Sequence, residues 1–149
     1  MTVRRLEQRD LEGAARLEKL CFREPWSVAS LELLLKDWAI GTVAEEDGQI
    51  LGYGGMLTVP GEGQITNIAV HPDARRRGIG RSLLSFLLRE ADARGLEQVV
   101  LEVRKSNGPA LSLYRDAGFT LLAERKNFYR HPTEDAWLMV CRLSRPVGE

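Results

Sequence analysis

From Asn67 to Leu84 the chain reads NIAVHPDARRRGIGRSLL, an apolar strand end, then a basic turn with two glycines, then an amphipathic helix. At its centre stand Arg75, Arg76, Arg77, Gly78, Ile79 and Gly80, and behind them Leu83, Leu84, Leu87, Leu88 and Ala91 recur at helical spacing. The first turn of a helix has backbone N–H groups without intrahelical partners, and the macrodipole adds partial positive charge there, so the main chain by itself can bind an anion. Glycine at 78 and 80 lets a pyrophosphate approach closely, because no Cβ intervenes. The segment from Arg76 to Arg81 is therefore a candidate phosphate cradle; the plain alternative is a tight strand-to-helix turn with a solvated charged face. Two other phosphate motifs are excluded. Leu83 stands where a dinucleotide fingerprint needs its third glycine, and no Gly-Lys-Ser/Thr follows.

Other residues have types that can do chemistry. Glu102 shares a face with Val100 in an otherwise apolar strand, and a partly buried carboxylate can be tuned toward neutral pH and act as a general base. On the residues alone, a strand-end carboxylate paired with an arginine such as Arg104 is the simpler account. Tyr114 falls on the apolar side of a helix, where a phenol is ordinarily core with its hydroxyl satisfied. Asn107 reads as a helix cap. Phe22 and Trp26, around Pro25, form a packed corner between two helices or else a substrate wall. Cys21 and Cys141 have no C-x-x-C and no neighbouring His, and His71 and His131 each precede proline, so neither a metal site nor a disulfide framework is expected.

These residues need elements to hold them. Val3 to Leu6 reads as a strand, and Asp10 as the cap of a helix through Leu20. The segment CFREPW breaks that helix, and Ser27 caps a second one carrying Leu31, Leu34 and Leu35. Strands over Ile40 to Glu45 and Ile50 to Val59 flank Asp47-Gly48, a strong hairpin signal. Pro60 to Gly63 turns the chain into a strand from Gln64 to Val70, which feeds the cradle. A helix from Gly78 to Arg94 stops at Gly95, and a strand from Leu96 to Arg104 follows, so a right-handed parallel crossover is expected. Asn107 or Gly108 opens a fourth helix with Pro109 in its first turn, ending at Gly118. Phe119 to Arg125 and Ala136 to Leu143 are the last strands, joined by KNFYRHPTED, long enough to wall a site. Ser144 to Glu149 reads as a frayed tail.

The chain has 149 residues, 44% of them apolar, which suits one domain with one core. Lys plus Arg and Asp plus Glu number 21 each, so overall charge favours neither a nucleic-acid nor a membrane partner; only Arg75, Arg76, Arg77 and Arg81 make a local basic patch. The opening MTVRRLEQRDLEG lacks a signal-peptide core and no apolar run reaches a membrane span, so a cytoplasmic location is expected.

The R-x-x-G-x-G turn after Ala69-Val70 closely resembles the acetyl-coenzyme A signature of the GNAT (GCN5-related) N-acetyltransferases, and the order of elements matches that family end to end. The strings LEVRKSN (101–107), ALSLY (110–114) and Gly118-Phe119 resemble the ribosomal-protein-alanine N-acetyltransferases (RimI-type) within it. Pro25-Trp26-Ser27, Asn67 to Val70, Arg125 to Tyr129 and Glu134 to Ala136 match too. Arg75 departs from the Gln of many relatives, and Tyr129 to Thr133 is less like the family.

The resemblance implies an α/β (α+β) GNAT fold: a mixed, mostly antiparallel sheet of about seven strands, about four helices and one parallel β-α-β crossover at the cofactor site. It implies acetyl-CoA as cosubstrate, no metal, and direct acetyl transfer to a protein N-terminal α-amine, the Ala of a ribosomal protein. It makes Glu102 the base, acting through water, and Tyr114 the acid for the leaving thiolate. It puts coenzyme contacts at Ile68, Ala69, Val70, Arg75, Arg76, Arg77, Gly78, Ile79, Gly80, Arg81 and Asn107. A backbone N–H near Ile68 to Val70 is the expected oxyanion donor, and acceptor contacts fall at Phe22, Trp26, Asn67 and Tyr129. A small-amine or lysine acceptor, or a non-catalytic acyl-CoA sensing module, is the alternative.

Overall fold

The computed structural model describes residues 1–143; the expected tail from Ser144 lies outside them. Seven strands form one sheet: β1 (Thr2–Arg5), β2 (Ala39–Glu46), β3 (Gln49–Val59), β4 (Glu62–Val70), β5 (Gln98–Arg104), β6 (Thr120–Tyr129) and β7 (Glu134–Arg142). The helices are α1 (Leu11–Cys21), α2 (Val28–Leu31), α3 (Ile79–Ala93) and α4 (Gly108–Asp116). Strand order is β1-β2-β3-β4-β5-β7-β6, with β4 and β5 parallel and the other neighbours antiparallel. The expected mixed sheet and single parallel crossover through α3 are thus present.

Two apolar layers clamp the sheet. On one face Leu84, Leu87 and Ala91 of α3 and Leu111 of α4 pack on Val99, Leu101 and Val103 of β5. On the other, Leu11, Ala14 and Leu17 of α1 and Leu31 and Leu34 beyond it pack on Val43 and Tyr53. Because strand side chains alternate, Val100, Glu102 and Arg104 belong to the α1 face of β5.

Three local expectations are corrected. Asp10 does not cap α1 with its side chain; its carboxylate turns back to accept from the Glu7 N–H at 2.8 Å and from Arg4, a fixed cation that outcompetes a helix N–H. The second helix is one α-turn capped by Ser27, passing into a 3-10 turn over Glu32–Leu35. Strand β6 runs on past Arg125 to Tyr129, because Asn127 takes a positive φ of 53° and the pairing with β7 resumes beyond the irregularity. The expected long wall between the last strands shrinks to residues 130–133.

Candidate active site

The parallel pairing of β4 with β5 covers only Glu62 with Gln98, Gly63 with Val99 and Gln64 with Val100. Beyond Val100 strand β5 turns to β7 alone, and beyond Gln64 strand β4 keeps only β3, so a wedge opens between them. A bulge starts the divergence. Gly55 faces Asn67 but Met56 faces Ile65, which leaves Thr66 as the extra residue. A Cβ on Gly55 would lie 2.7 Å from Thr66 Oγ1 and from Leu34 Cδ1, so glycine is needed where the bulge closes on α2's neighbour. The His71 N–H donates to Leu51 O at 2.7 Å in continuation of the β3–β4 ladder. By the two-residue alternation the Ala69 N–H also faces β3, while those of Ile68 and Val70 face the wedge. The expected donor stretch therefore narrows to Ile68 and Val70.

At one mouth of the wedge lies the basic turn. Arg76 and Gly78 both have positive φ, 66° and 77°. Gly78 is the N-cap of α3 and gives no side-chain cap; the first intrahelical bond runs from Ser82 N to Gly78 O, which leaves the N–H groups of Ile79, Gly80 and Arg81 pointing out of the helix end. A Cβ on Gly78 would meet nothing within 4 Å, and one on Gly80 would come no nearer than 3.4 Å, to Leu113 Cδ2. The side chains of Arg75, Arg77 and Arg81 are drawn to three different partners. Arg77 pairs with Glu46, Arg81 reaches Asp116 at 3.3 Å, and Arg75 leans on the Cys21 sulfur. What this helix end offers an anion is therefore backbone N–H, not converging guanidinium groups.

The other chemistry-bearing side chains lie on β5, β6 and α4. Glu102 Oε1 lies 3.7 Å from Arg125 Nε, and its side chain is 33% exposed, less sheltered than the sequence suggests. Arg104, the partner expected for it, instead hydrogen-bonds Glu134 at 3.4 Å and stacks on the Tyr129 ring at 4.4 Å. The Tyr129 hydroxyl is pushed up to about 12, by burial first and then by the charge of Glu102, with Arg104 opposing. The contacts that fix the Tyr129 ring are the Arg104 guanidinium, 4.4 Å from its centroid, and the Phe128 ring, edge-on at 5.0 Å. Burial alone raises Tyr114 to about 12, while its ring packs edge-on against Phe119 at 5.8 Å. Asn107 caps α4 by accepting from the Ala110 N–H at 3.2 Å. Glu134 holds the preceding turn through the Ser106 hydroxyl and N–H, which keep its carboxyl below the ordinary range.

The α1–α2 corner supplies the remaining wall. Trp26 is half-buried and packs on the α1 core, whereas Phe22 is exposed at the C-terminal cap of α1. Asn67 reaches the same corner from β4 through a residue that the sequence reading passed over. Glu18 accepts from the Trp26 N–H at 2.7 Å, the Tyr53 hydroxyl at 2.6 Å and the Asn67 Nδ2 at 3.0 Å.

The model of the acetyltransferase (GNAT) family matches residues 11–119. The chain belongs to this family. It is 39% identical over 142 residues to a Bacillus subtilis (strain 168) protein described as a candidate ribosomal protein bS18-alanine N-acetyltransferase, covering 92% of each. It is 34% identical over 147 residues to the ribosomal protein bS18-alanine N-acetyltransferase of Escherichia coli (strain K12), covering 96% of this chain and 98% of that one. The crystal structure of the Escherichia coli ribosomal-protein-S18-alanine N-acetyltransferase superposes with a TM-score of 0.91 at 32% identity, over 99% of this chain and 97% of that one.

As a GNAT member the chain is an acetyl-CoA-dependent N-acetyltransferase. Its own features suit that cosubstrate: three outward N–H groups for a pyrophosphate, open space above Gly78, and a wedge whose N–H groups at Ile68 and Val70 have no strand partner among the described residues. A thioester delivers an activated acyl carbon. Among the described residues no helix is long and apolar enough to cross a membrane.

Proposed function

We propose that this acetyltransferase modifies the α-amine at the N-terminus of a protein, the alanine that begins a small ribosomal protein. The observation that carries the proposal is the wedge itself: the basic turn at one mouth offers outward backbone N–H groups, and Glu102 on β5 and Asn67 on β4 belong to the same face of the sheet on its two sides. Relatives that align over nearly the whole chain are named for alanine acetylation of ribosomal protein bS18, which supports the choice of acceptor.

In this reading the backbone from Arg76 to Arg81 holds the pyrophosphate, and the N–H groups of Ile68 and Val70 receive the charge that develops on the carbonyl oxygen. Glu102 takes the proton shed by the attacking amine, through water. As the new C–N bond forms and the C–S bond breaks, Tyr114 gives its proton to the departing sulfur. A phenol raised to about 12 keeps that proton throughout the neutral range. In this reading no acyl group is passed to the protein: Cys141 donates to Ala117 O and burial raises its thiol, while Cys21 donates to Val70 O and its neighbour Arg75 is a donor, not a base that could take the thiol's proton. An α-amine has an ordinary pKa of about 7.7–8.0 against about 10.4 for lysine, so a modest base liberates far more nucleophile at a terminus. Asn67, Trp26 and Tyr129, with Phe22 at the rim, line the acceptor's path, and an extended peptide would add main-chain hydrogen bonds there. Such a substrate places the enzyme in the cytoplasm, where ribosomal proteins are made.

Steady-state kinetics test this with short peptides beginning with Ala, the same peptides blocked at the N-terminus but carrying an internal Lys, and a panel of small amines. The free Ala peptides are expected to have the highest kcat/KM. Better turnover of blocked Lys peptides or small amines would overturn the acceptor.

A further inference from the structure

Glu18 is 0% exposed, and its two oxygens accept three hydrogen bonds from three different elements: the α1–α2 corner at Trp26, β3 at Tyr53 and β4 at Asn67. A carboxylate placed on the inward stripe of α1 is costly unless such donors surround it, and simple packing would be met by an apolar residue. The arrangement has a directional consequence. A carboxylate offers acceptors only, so the Asn67 amide must face Glu18 with Nδ2. Its Oδ1 is turned away from Glu18 and has no partner among the described residues, on the face of the sheet to which Glu102 belongs.

We propose that Glu18 is a positioning residue of the acceptor site: it fixes Asn67 so that Oδ1 receives an N–H of the incoming amine, and with its other oxygen it sets the Trp26 wall. An amine held by one N–H on a fixed acceptor has its lone-pair direction restricted, which favours one line of approach into the wedge. One side chain thereby couples the floor of the acceptor site, on β4, to its wall, at the α1–α2 corner. The inference rests on the reading of this face as the acceptor's side; it does not depend on which amine is the natural acceptor.

Glu18→Gln keeps the volume but replaces one acceptor oxygen with an NH2 donor. With the Trp26 N–H on the remaining oxygen, that NH2 turns Asn67 over, and Nδ2 then confronts the amine's own N–H. The expected result is a rise in acceptor KM of about tenfold, with the acetyl-CoA Kd from calorimetry unchanged. Asn67→Leu should raise acceptor KM by a similar factor, and adding Glu18→Gln to it should bring no further rise. These constants are measured on whichever amine the wild type turns over best, so a wrong acceptor in the functional reading shows in the wild-type panel and leaves the cycle intact. An unchanged acceptor KM in Glu18→Gln, full additivity in the double variant, or a parallel loss of acetyl-CoA affinity overturns the proposal. If Glu18→Gln does not fold, Asn67→Leu decides alone: unchanged acceptor KM overturns it, and a tenfold rise with intact acetyl-CoA affinity supports it.

Discussion

Arg125 Nε lies 3.7 Å from Glu102 Oε1, so the carboxylate proposed as base is engaged from β6, across β7, and not by Arg104 on its own strand. The guanidinium is half exposed, which makes this a weak, water-screened pair. In the proposed mechanism Glu102 exchanges this partner for the water that relays a proton. Arg125→Ala is expected to change kcat/KM by less than about tenfold and to leave the fold intact, whereas Glu102→Gln should cost roughly 100- to 10,000-fold in kcat. Near-native turnover by Glu102→Gln would remove it from the base role.

Tyr114→Phe should lose rate on the same scale, roughly 100-fold or more, without losing acetyl-CoA affinity. Burial pushes its hydroxyl up to about 12, and that of Tyr129 likewise. The folded state therefore favours the neutral phenols. That stability is fully present below about pH 10, the unfolded value, and is lost as pH rises toward about 12. Melting temperature followed from pH 9 to 12 should fall less steeply in Tyr114→Phe and Tyr129→Phe than in the wild type. Some slope will remain, because Tyr53 is raised as well, by burial first and then by the Glu18 charge.

Gly80→Ala separates coenzyme binding from stability. The new Cβ has room, 3.4 Å from Leu113 Cδ2, and the helix gains propensity, so the melting temperature should hold or rise. Calorimetry should nevertheless show weaker acetyl-CoA binding, since the Cβ is added in the first turn of α3, between Leu113 and Val70 at the mouth of the wedge. Gly78→Ala differs: at φ 77° it costs about 1–2 kcal/mol of backbone strain, and both stability and affinity should drop.

Asp10 is 4% exposed and is clasped by both terminal nitrogens of Arg4 at 2.8 and 2.9 Å. Burial pushes its carboxyl up, but the Arg4 hydrogen bonds and the Glu7 N–H outweigh this and leave it below the ordinary range. The associated stability is present above the unfolded value, near pH 4, and disappears as pH falls through the lowered one. Arg4→Ala would strand a buried charge and should destabilise the fold by about 3 kcal/mol in urea titrations at pH 7.

Much of this was legible in local sequence. Gly78 and Gly80 ahead of a leucine stripe announced the cradle, and the order of elements followed from Asp47-Gly48, Gly95 and Gly118. Long-range pairing was not legible. Nothing near Ala136 says that β7 inserts between β5 and β6, and the bulge at Thr66 and the run of β6 through Asn127 are set by strand partners. Glu18 did carry a signal. It falls four residues after Ala14 and three after Ala15, a carboxylate on the buried stripe of α1, and such a residue calls for donors on the facing strands. Its partners Tyr53 and Asn67 stand 35 and 49 residues away, so only the fold brings them to it.

The central claim, acetylation of a ribosomal protein's N-terminal alanine, is tested most directly by intact-mass spectrometry of ribosomal proteins from cells with and without this enzyme. The account predicts that one small ribosomal protein beginning with Ala is about 42 Da heavier when the enzyme is present, the mass of an acetyl group replacing a hydrogen, with the added mass on the first residue and lost with Glu102→Gln. Identical masses for every ribosomal protein in the two cultures, or added mass confined to lysine side chains, would contradict it.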